Sequence, residues 1–266
     1  MSDQTRPAPA ADYDDFVDWD RRLAREAPLF RRVFDNAEAH KVIDVGAGSA
    51  RHAIMFATWG LEVVAVDPDE SMLAQAETNV ASRSADIARA GGSIEMFRGG
   101  FGGLASLGLG PCDAITCTGN ALPHVDGVLG LRSTLADFAA VLRPGGALVL
   151  HLLNHARLLA ARPRAIPPVF RQTPGGEKVF LRVIDYPEGD EYLDFDFLTL
   201  VRDEAGEWSV AHRRSPHTAL PVDVLKRELA AAGFGDVQEL GSHDGRAFVA
   251  ETDESVILTA RCRAAG

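Results

Sequence analysis

The apolar residues of this chain follow two rhythms. Between residues 41 and 153, short runs of aliphatic residues alternate with longer stretches whose apolar positions recur three and four apart. The runs at 41–44, 61–67, 93–97, 112–117 and 147–153 read as strands, the last apolar enough to be buried on both faces. The stretches through Ile54 and Phe56, through Met72, Leu73 and Ala76, and over 128–142 read as helices. The last of these stops at Arg143-Pro144-Gly145-Gly146, a helix end and turn. Residues 12–40 also have helical spacing, with a break expected at Pro28. A proline-rich stretch at 163–174, holding the Pro167-Pro168 pair, reads as a linker. Beyond it the period becomes two: residues 178–186, 191–202 and 208–214 alternate polar and apolar around turns at Glu188-Gly189-Asp190 and Glu204-Ala205-Gly206. A helix over 221–232 and strands near 237–240 and 255–261 close the chain. The expected fold class is α/β, a mostly parallel sheet with an inserted antiparallel meander.

Residues 41–48, KVIDVGAG, organise the rest. The apolar run ends in Asp44, and Gly46 and Gly48 follow with one residue between them. Glycine has no Cβ, so such a turn lets a ligand approach the main chain closely. Ser49 stands where an N-cap for the next helix is expected. The second strand ends in Asp67, about 20 residues on, where nucleotide-binding folds set a carboxylate against ribose hydroxyls. This is a βαβ unit suited to a nucleoside. Arg51 replaces the third glycine of the dinucleotide fingerprint, which lowers the standing of an NAD enzyme.

Composition narrows the partners. The chain has 266 residues, 46% of them hydrophobic, enough for a large core. Its 27 basic and 38 acidic residues give a net charge of −11, which argues against nucleic acid and anionic membrane. Cys112, Cys117 and Cys262 have no metal-ligand spacing and read as reduced thiols, the first two in the core, consistent with a cytoplasmic location and no metal. Residues 1–10 are polar, lack an apolar signal core and are expected to be disordered, and no run is long enough to span a bilayer.

DVGAG at 44–48, Asp67 at the end of the second strand, CDAITC at 112–117 and LRPGG at 142–146 together resemble the class I S-adenosylmethionine-dependent methyltransferases. The likeness runs over nearly the whole chain. It implies a Rossmann-like seven-stranded, mostly parallel sheet with helices on both faces. Four regions follow: a helical cover of the cofactor site (1–40), the S-adenosylmethionine-binding core (41–160), an antiparallel substrate lid (161–218) and a closing helix and strands (219–266). The cofactor implied is S-adenosyl-L-methionine, with S-adenosyl-L-homocysteine as product. GNALPHV at 119–125 is similar to the loop after the fourth strand in glycine/sarcosine-type N-methyltransferases. Asn154 is kept from that group, while His155 and Ala156 replace its Tyr-Asp pair and Ser215-Pro216-His217 replaces Tyr-Pro-His.

By that resemblance Asp44, Gly46 and Gly48, with Ala47 between the glycines, wrap the methionine part of the cofactor. Asp67 holds the ribose diol, next to Pro68 and Met72. Arg22 is placed for the methionine carboxylate and Tyr13 near the reactive methyl, while Thr118 lines the sulfonium side beside Asn120. Many members of the class carry an acid for the adenine amino group where this chain has Gly100 and Phe101. Phe101 or main chain is therefore expected against the ring.

Methyl transfer from a sulfonium is an in-line displacement, so alignment and a dry site suffice, and effective molarity supplies roughly 7–11 kcal/mol. A hydroxyl acceptor adds the need for a base. His124, Asn154, His155 and His217 are the catalytic candidates, and His151 also falls at a strand end; His40, His52, His212 and His243 read as surface or capping residues. Arg171, Arg182, Arg213 and Arg214 could fork an anionic substrate or be solvated. The acidic stretch from Asp185 to Asp196 reads as a solvated edge that would also suit a cationic one. The function expected is transfer of a methyl group to N or O of a small molecule. The alternatives are a non-catalytic nucleoside-binding protein of the same fold, or a methyltransferase acting on a macromolecule. The oligomeric state is open, a homodimer among the options.

Overall fold

A computed structural model describes residues 10–173 and 176–264, so most of the polar start read as disordered lies outside the described residues. Two sheets form. The larger has five parallel strands: β1 (Lys41–Val45), β2 (Glu62–Asp67), β3 (Ser93–Arg98), β4 (Cys112–Cys117) and β5 (Leu142–Leu153). With β10 (Phe234–Leu240) and β11 (Ser255–Cys262), the order is β10-β11-β5-β4-β1-β2-β3. β11 lies antiparallel to β5. This is the Rossmann-like seven-stranded arrangement. β1, β2 and β4 are buried along nearly their whole length, as helix-covered parallel strands must be.

Helices α3 (Arg51–Ala57), α4 (Glu70–Ala90), α5 (Gly127–Val141) and α7 (Val222–Ala231) cover the sheet. β5 starts at Leu142, earlier than expected: the helix stops at Val141, and Arg143–Gly146 are absorbed as an irregularity in the pairing with β4, between Cys112↔Leu142 and Ala114↔Ala147. Ser49 does not cap α3. Ala50, with φ 60°, precedes the helix without a side-chain cap, and the Ser49 hydroxyl donates to Asp14 instead.

The N-terminal cover is two helices, α1 (Ala10–Phe16) and α2 (Trp19–Asp35). The break falls at Val17-Asp18, and α2 runs straight through Pro28. An interior proline costs about 3 kcal/mol; burial of Leu29, Phe30 and Phe34 on the face beyond it, at roughly 1.5–3 kcal/mol each, more than offsets that. Asp14 anchors α1 to the core by accepting from Arg51 Nη2 at 2.7 Å and Asn79 Nδ2 at 3.1 Å. The arginine in place of the third fingerprint glycine thus holds the cover down.

After α6 (His155–Ala161) comes the second sheet, β6 (Ala165–Thr173), β7 (Gly176–Asp185), β8 (Tyr192–Arg202) and β9 (Trp208–Thr218), antiparallel in that order. The proline-rich stretch read as a linker is a strand. It sits at the sheet edge, where missing N–H groups are tolerated, and Pro167-Pro168 fall in a register shift between Ile166 and Val169. β9 docks on the loop after β4: Thr218 Oγ1 accepts from the Gly127 amide at 3.0 Å and donates to the Val125 carbonyl. All three cysteines are free and buried. No helix among the described residues is long and apolar enough to cross a membrane.

Candidate active site

A cavity of about 1560 Å³ lies over the C-terminal ends of β1, β2, β4 and β5, bounded by α1 and α2 on one side and the inner face of the second sheet on the other. The glycine turn forms its floor. Gly46 has φ 70°, and a Cβ on it would stand 2.6 Å from the Ala121 Cβ, so this position admits no side chain. The Gly48 amide donates to Asp67 Oδ2 at 2.8 Å and the Asp69 amide to Oδ1 at 3.0 Å. Each oxygen of Asp67 keeps a lone pair for a ligand. Burial pushes the Asp67 carboxyl up, against those two amides; it also pushes Asp44 up, though Thr116 Oγ1 donates to Asp44 at 2.7 Å.

Ala47, Pro68 and Met72 line the same end, and Gly100 and Phe101 wall it beside Ser133 and Thr134 of α5. A Cβ built on Gly100 would meet nothing within 4 Å, so there is room beside Phe101 for a flat ring.

At the opposite end Arg22 donates from Nε to Glu26 Oε1 at 3.0 Å, and its guanidinium lies 5.1 Å from the centre of the Trp19 ring. Its outer nitrogens face Gly119, where a built Cβ would stand 3.6 Å from Nη2 and 3.3 Å from Tyr13 Oη. Glu26 is fully buried, with His52 Nε2 2.7 Å from its other oxygen. Burial would raise its carboxyl; the His52 hydrogen bond and the nearby positive charge hold it well below the usual range instead. Thr118 Oγ1 lies 3.5 Å from His52 Nδ1.

His52 and His243, read as surface or capping residues, are therefore both buried in this cluster. His243 Nε2 and His151 Nδ1 have no hydrogen-bond partner, and burial takes the His243 pKa down to about 4 and that of His151 to about 3. Ligand atoms of Glu26, His151 and His243 lie within 4.8 Å of one another. Arg22 and Arg25, at 3.0 and 3.6 Å, already match the Glu26 charge, and a dication beside them would be repelled.

The third part of the site joins the loop after β4 to β9. Asn120, in a left-handed conformation, accepts the Leu153 amide on Oδ1 at 3.0 Å, which turns its Nδ2 toward His217 Nδ1 at 3.3 Å. Nδ1 of His217 is thereby an acceptor and the ring proton sits on Nε2, which is buried without a partner. Burial, then the neighbouring His124, takes the His217 pKa down to about 3. The His124 ring lies 4.5 Å away at 76°, exposed to the cavity, and its pKa is lowered by its surroundings and by Arg213.

The structure brings Tyr13, Arg22, the glycine turn, Asp67, Thr118, Asn120, His124 and His217 around one space. It does not bring Asn154 and His155 there. Asn154 caps α6, accepting the Arg157 amide and donating to the Ala250 and Asp253 carbonyls. His155 is buried beneath, its Nδ1 accepting the Leu220 amide at 2.8 Å. Both hold the frame together. Glu26 and His52 escaped the sequence reading, although Glu26 four residues after Arg22 on a helix was a legible ion pair.

Residues 42–146 match a family described as a methyltransferase domain. The glycine/sarcosine N-methyltransferase of Parasynechococcus marenigrum (strain WH8102) is 32% identical over 147 residues, 55% of this chain and 50% of that one. The chain thus spans about half the length of that curated relative. A second glycine/sarcosine N-methyltransferase, from Aphanothece halophytica, is 26% identical over 230 residues, 86% of this chain and 79% of its own. The fold matches that of the solved CcbJ methyltransferase from Streptomyces caelestis with a TM-score of 0.76 at 21% identity, covering 99% of this chain and 100% of that one. The domain match, these relatives and this strand order together make the chain similar to the class I S-adenosylmethionine-dependent methyltransferases.

Proposed function

We propose that the protein transfers a methyl group from S-adenosylmethionine to a nitrogen of a small molecule, with an oxygen acceptor as the second reading. The observation that carries this is the continuity of one cavity from the Asp67 end, through the Gly46 turn and Arg22, to the paired rings of His124 and His217. The cradle fits the cofactor: a buried carboxylate with free lone pairs for a diol, glycines where a side chain would fill the space, and an arginine fork at the other end. The relatives named for glycine and sarcosine favour nitrogen over oxygen.

The cofactor supplies an electrophilic methyl group on a sulfonium. Asp67 orients the ribose end, and Gly46 to Gly48 give main-chain contact along the methionine. Arg22, fixed at Nε by Glu26, keeps its outer nitrogens for the methionine carboxylate. Tyr13 and Trp19 of the cover keep water away. An amine acceptor must attack with a free lone pair and shed one proton. His124, neutral at working pH and open to the cavity, takes that proton, while the ring of His217, fixed by Asn120, packs against it and sets its orientation.

The test is incubation with methyl-labelled S-adenosylmethionine and a panel of small amines and hydroxyl compounds. Label appearing on an amine together with S-adenosylhomocysteine supports the reading. Cofactor binding with no transfer to any small molecule, or transfer only to protein or nucleic acid, overturns it.

A further inference from the structure

The inner face of the second sheet carries arginines that form no ion pair among the described residues. Arg182 on β7 lies opposite Phe197 on β8, and Phe197 lies opposite Arg213 on β9. Directly opposed residues of antiparallel strands share one face, so these three side chains form a row across the sheet. All three line the cavity. The Arg213 guanidinium is 4.6 Å from the centre of the Phe197 ring, and that of Arg182 is 5.1 Å from the Phe16 ring. Arg157 of α6 lines the same space. None of these three guanidiniums has a carboxylate within 4.0 Å or a hydrogen-bond acceptor among the described residues.

The outer face of the same sheet is the reverse. There Arg214 reaches Asp194 at 2.7 Å and Asp185 and Asp196 at 3.4 Å, and His212 lies 2.7 Å from Asp196. The acidic stretch of the meander is thus spent on its own surface, and it does not serve a cationic ligand in the cavity. A chain with net charge −11 has acids to spare, yet the inner row has none in contact. Burial lowers the pKa of both Arg182 and Arg213, with Glu254 and Asp69 as the opposing charges, neither within ion-pair distance. Arginine, with its planar fork, suits carboxylate or phosphate, and the ring beside it suits a flat apolar group. The cavity volume, 1560 Å³, exceeds the roughly 300–1,000 Å³ of a site for one ligand, which leaves room beside a cofactor for an acceptor larger than an amino acid.

We infer that the methyl acceptor is an anionic molecule with a flat ring, its carboxylate or phosphate held by Arg182 and Arg213 and its ring laid on Phe197. This rests on the methyltransferase reading of the same cavity.

The test is calorimetry on the full chain saturated with S-adenosylhomocysteine, titrated with benzoate, phenyl phosphate and benzylamine. At least one of the two anions is expected to bind and benzylamine is not, and the tighter anion tells carboxylate from phosphate. Arg182→Gln and Arg213→Gln should each weaken the anion about tenfold, the loss of one charge-assisted hydrogen bond, and leave S-adenosylhomocysteine affinity unchanged, which also shows that the variants are folded. Binding of benzylamine as tight as that of the anions, absence of anion binding, or anion affinity untouched by both substitutions overturns the inference while the methyltransferase reading stands. Failure of S-adenosylhomocysteine itself to bind overturns the methyltransferase reading, and this inference with it.

Discussion

His52 Nε2 lies 2.7 Å from Glu26 Oε2, among the rings of Trp19, Phe30 and Phe56. The pair joins α3, which follows the glycine turn, to α2 of the cover, and Glu26 in turn fixes Arg22. The helix after the glycine turn and the N-terminal cover are one electrostatic unit.

Removing the buried member of that unit leaves an arginine and a histidine without their partner. Glu26→Ala should lower the unfolding free energy by about 3–5 kcal/mol, and Glu26→Gln, which keeps hydrogen-bonding atoms, by less. Urea unfolding of the three proteins checks the order. Equal stability of Glu26→Ala and the parent would mean that the cover is held by apolar contacts alone.

Gly46 offers a separable test of the turn. Gly46→Ala adds a Cβ 2.6 Å from the Ala121 Cβ at a φ of 70°. Stability should fall by more than about 1 kcal/mol from the left-handed backbone alone. Adding Ala121→Gly removes the contact and should restore part of the loss, never all of it. A double variant no better than Gly46→Ala by thermal melting would show that backbone strain is the whole effect.

Asp67 carries the diol contact in this reading. Asp67→Ala should weaken S-adenosylhomocysteine binding by about 1–3 kcal/mol, the loss of a charged acceptor. Unchanged affinity by calorimetry would remove Asp67 from the site.

Acid should unfold the protein earlier than its carboxylates require. His151 and His217 have pKa values of about 3, and His155 and His243 of about 4, all lowered first by burial. The unfolded chain binds protons at these residues near pH 6.5, and the folded chain refuses them until about pH 4. Stability is therefore complete above about pH 6.5 and falls as the pH drops below it, by up to about 1.4 kcal/mol per pH unit for each histidine. Asp44 and Asp67, whose folded pKa values are raised, act in the opposite sense at lower pH. Melting temperatures at pH 7.5, 6.5 and 5.5 should fall along the series. A flat profile would mean that these rings gain protonated partners in solution.

The parallel core was legible because each of its strands is a short apolar run closed by a local signal: Asp44 before two glycines, Asp67 closing β2, the polar loop after Cys117. The glycine turn and the Asp67 end of the cavity follow from those same signals. Pro28 misled because a local rule, helix breakage, lost to burial of Leu29, Phe30 and Phe34 on the far side. Pro167-Pro168 misled likewise, since an edge strand tolerates what a central one cannot. The histidines were the least legible. His52 and His155 stand at similar local signals, yet partners 26 and 65 residues away decide that one lines the cavity and the other is buried beneath the frame. Arg182 and Arg214 likewise differ only in which face of the sheet they occupy, and the register settles that.

The central claim is that this cavity binds S-adenosylmethionine in the Asp67-to-Arg22 cradle. Calorimetry of the purified chain with S-adenosylmethionine, S-adenosylhomocysteine and NAD tests it most directly. Binding of the first two, one per chain, with no heat from NAD is the expected result; binding of NAD, or of none of the three, would contradict it.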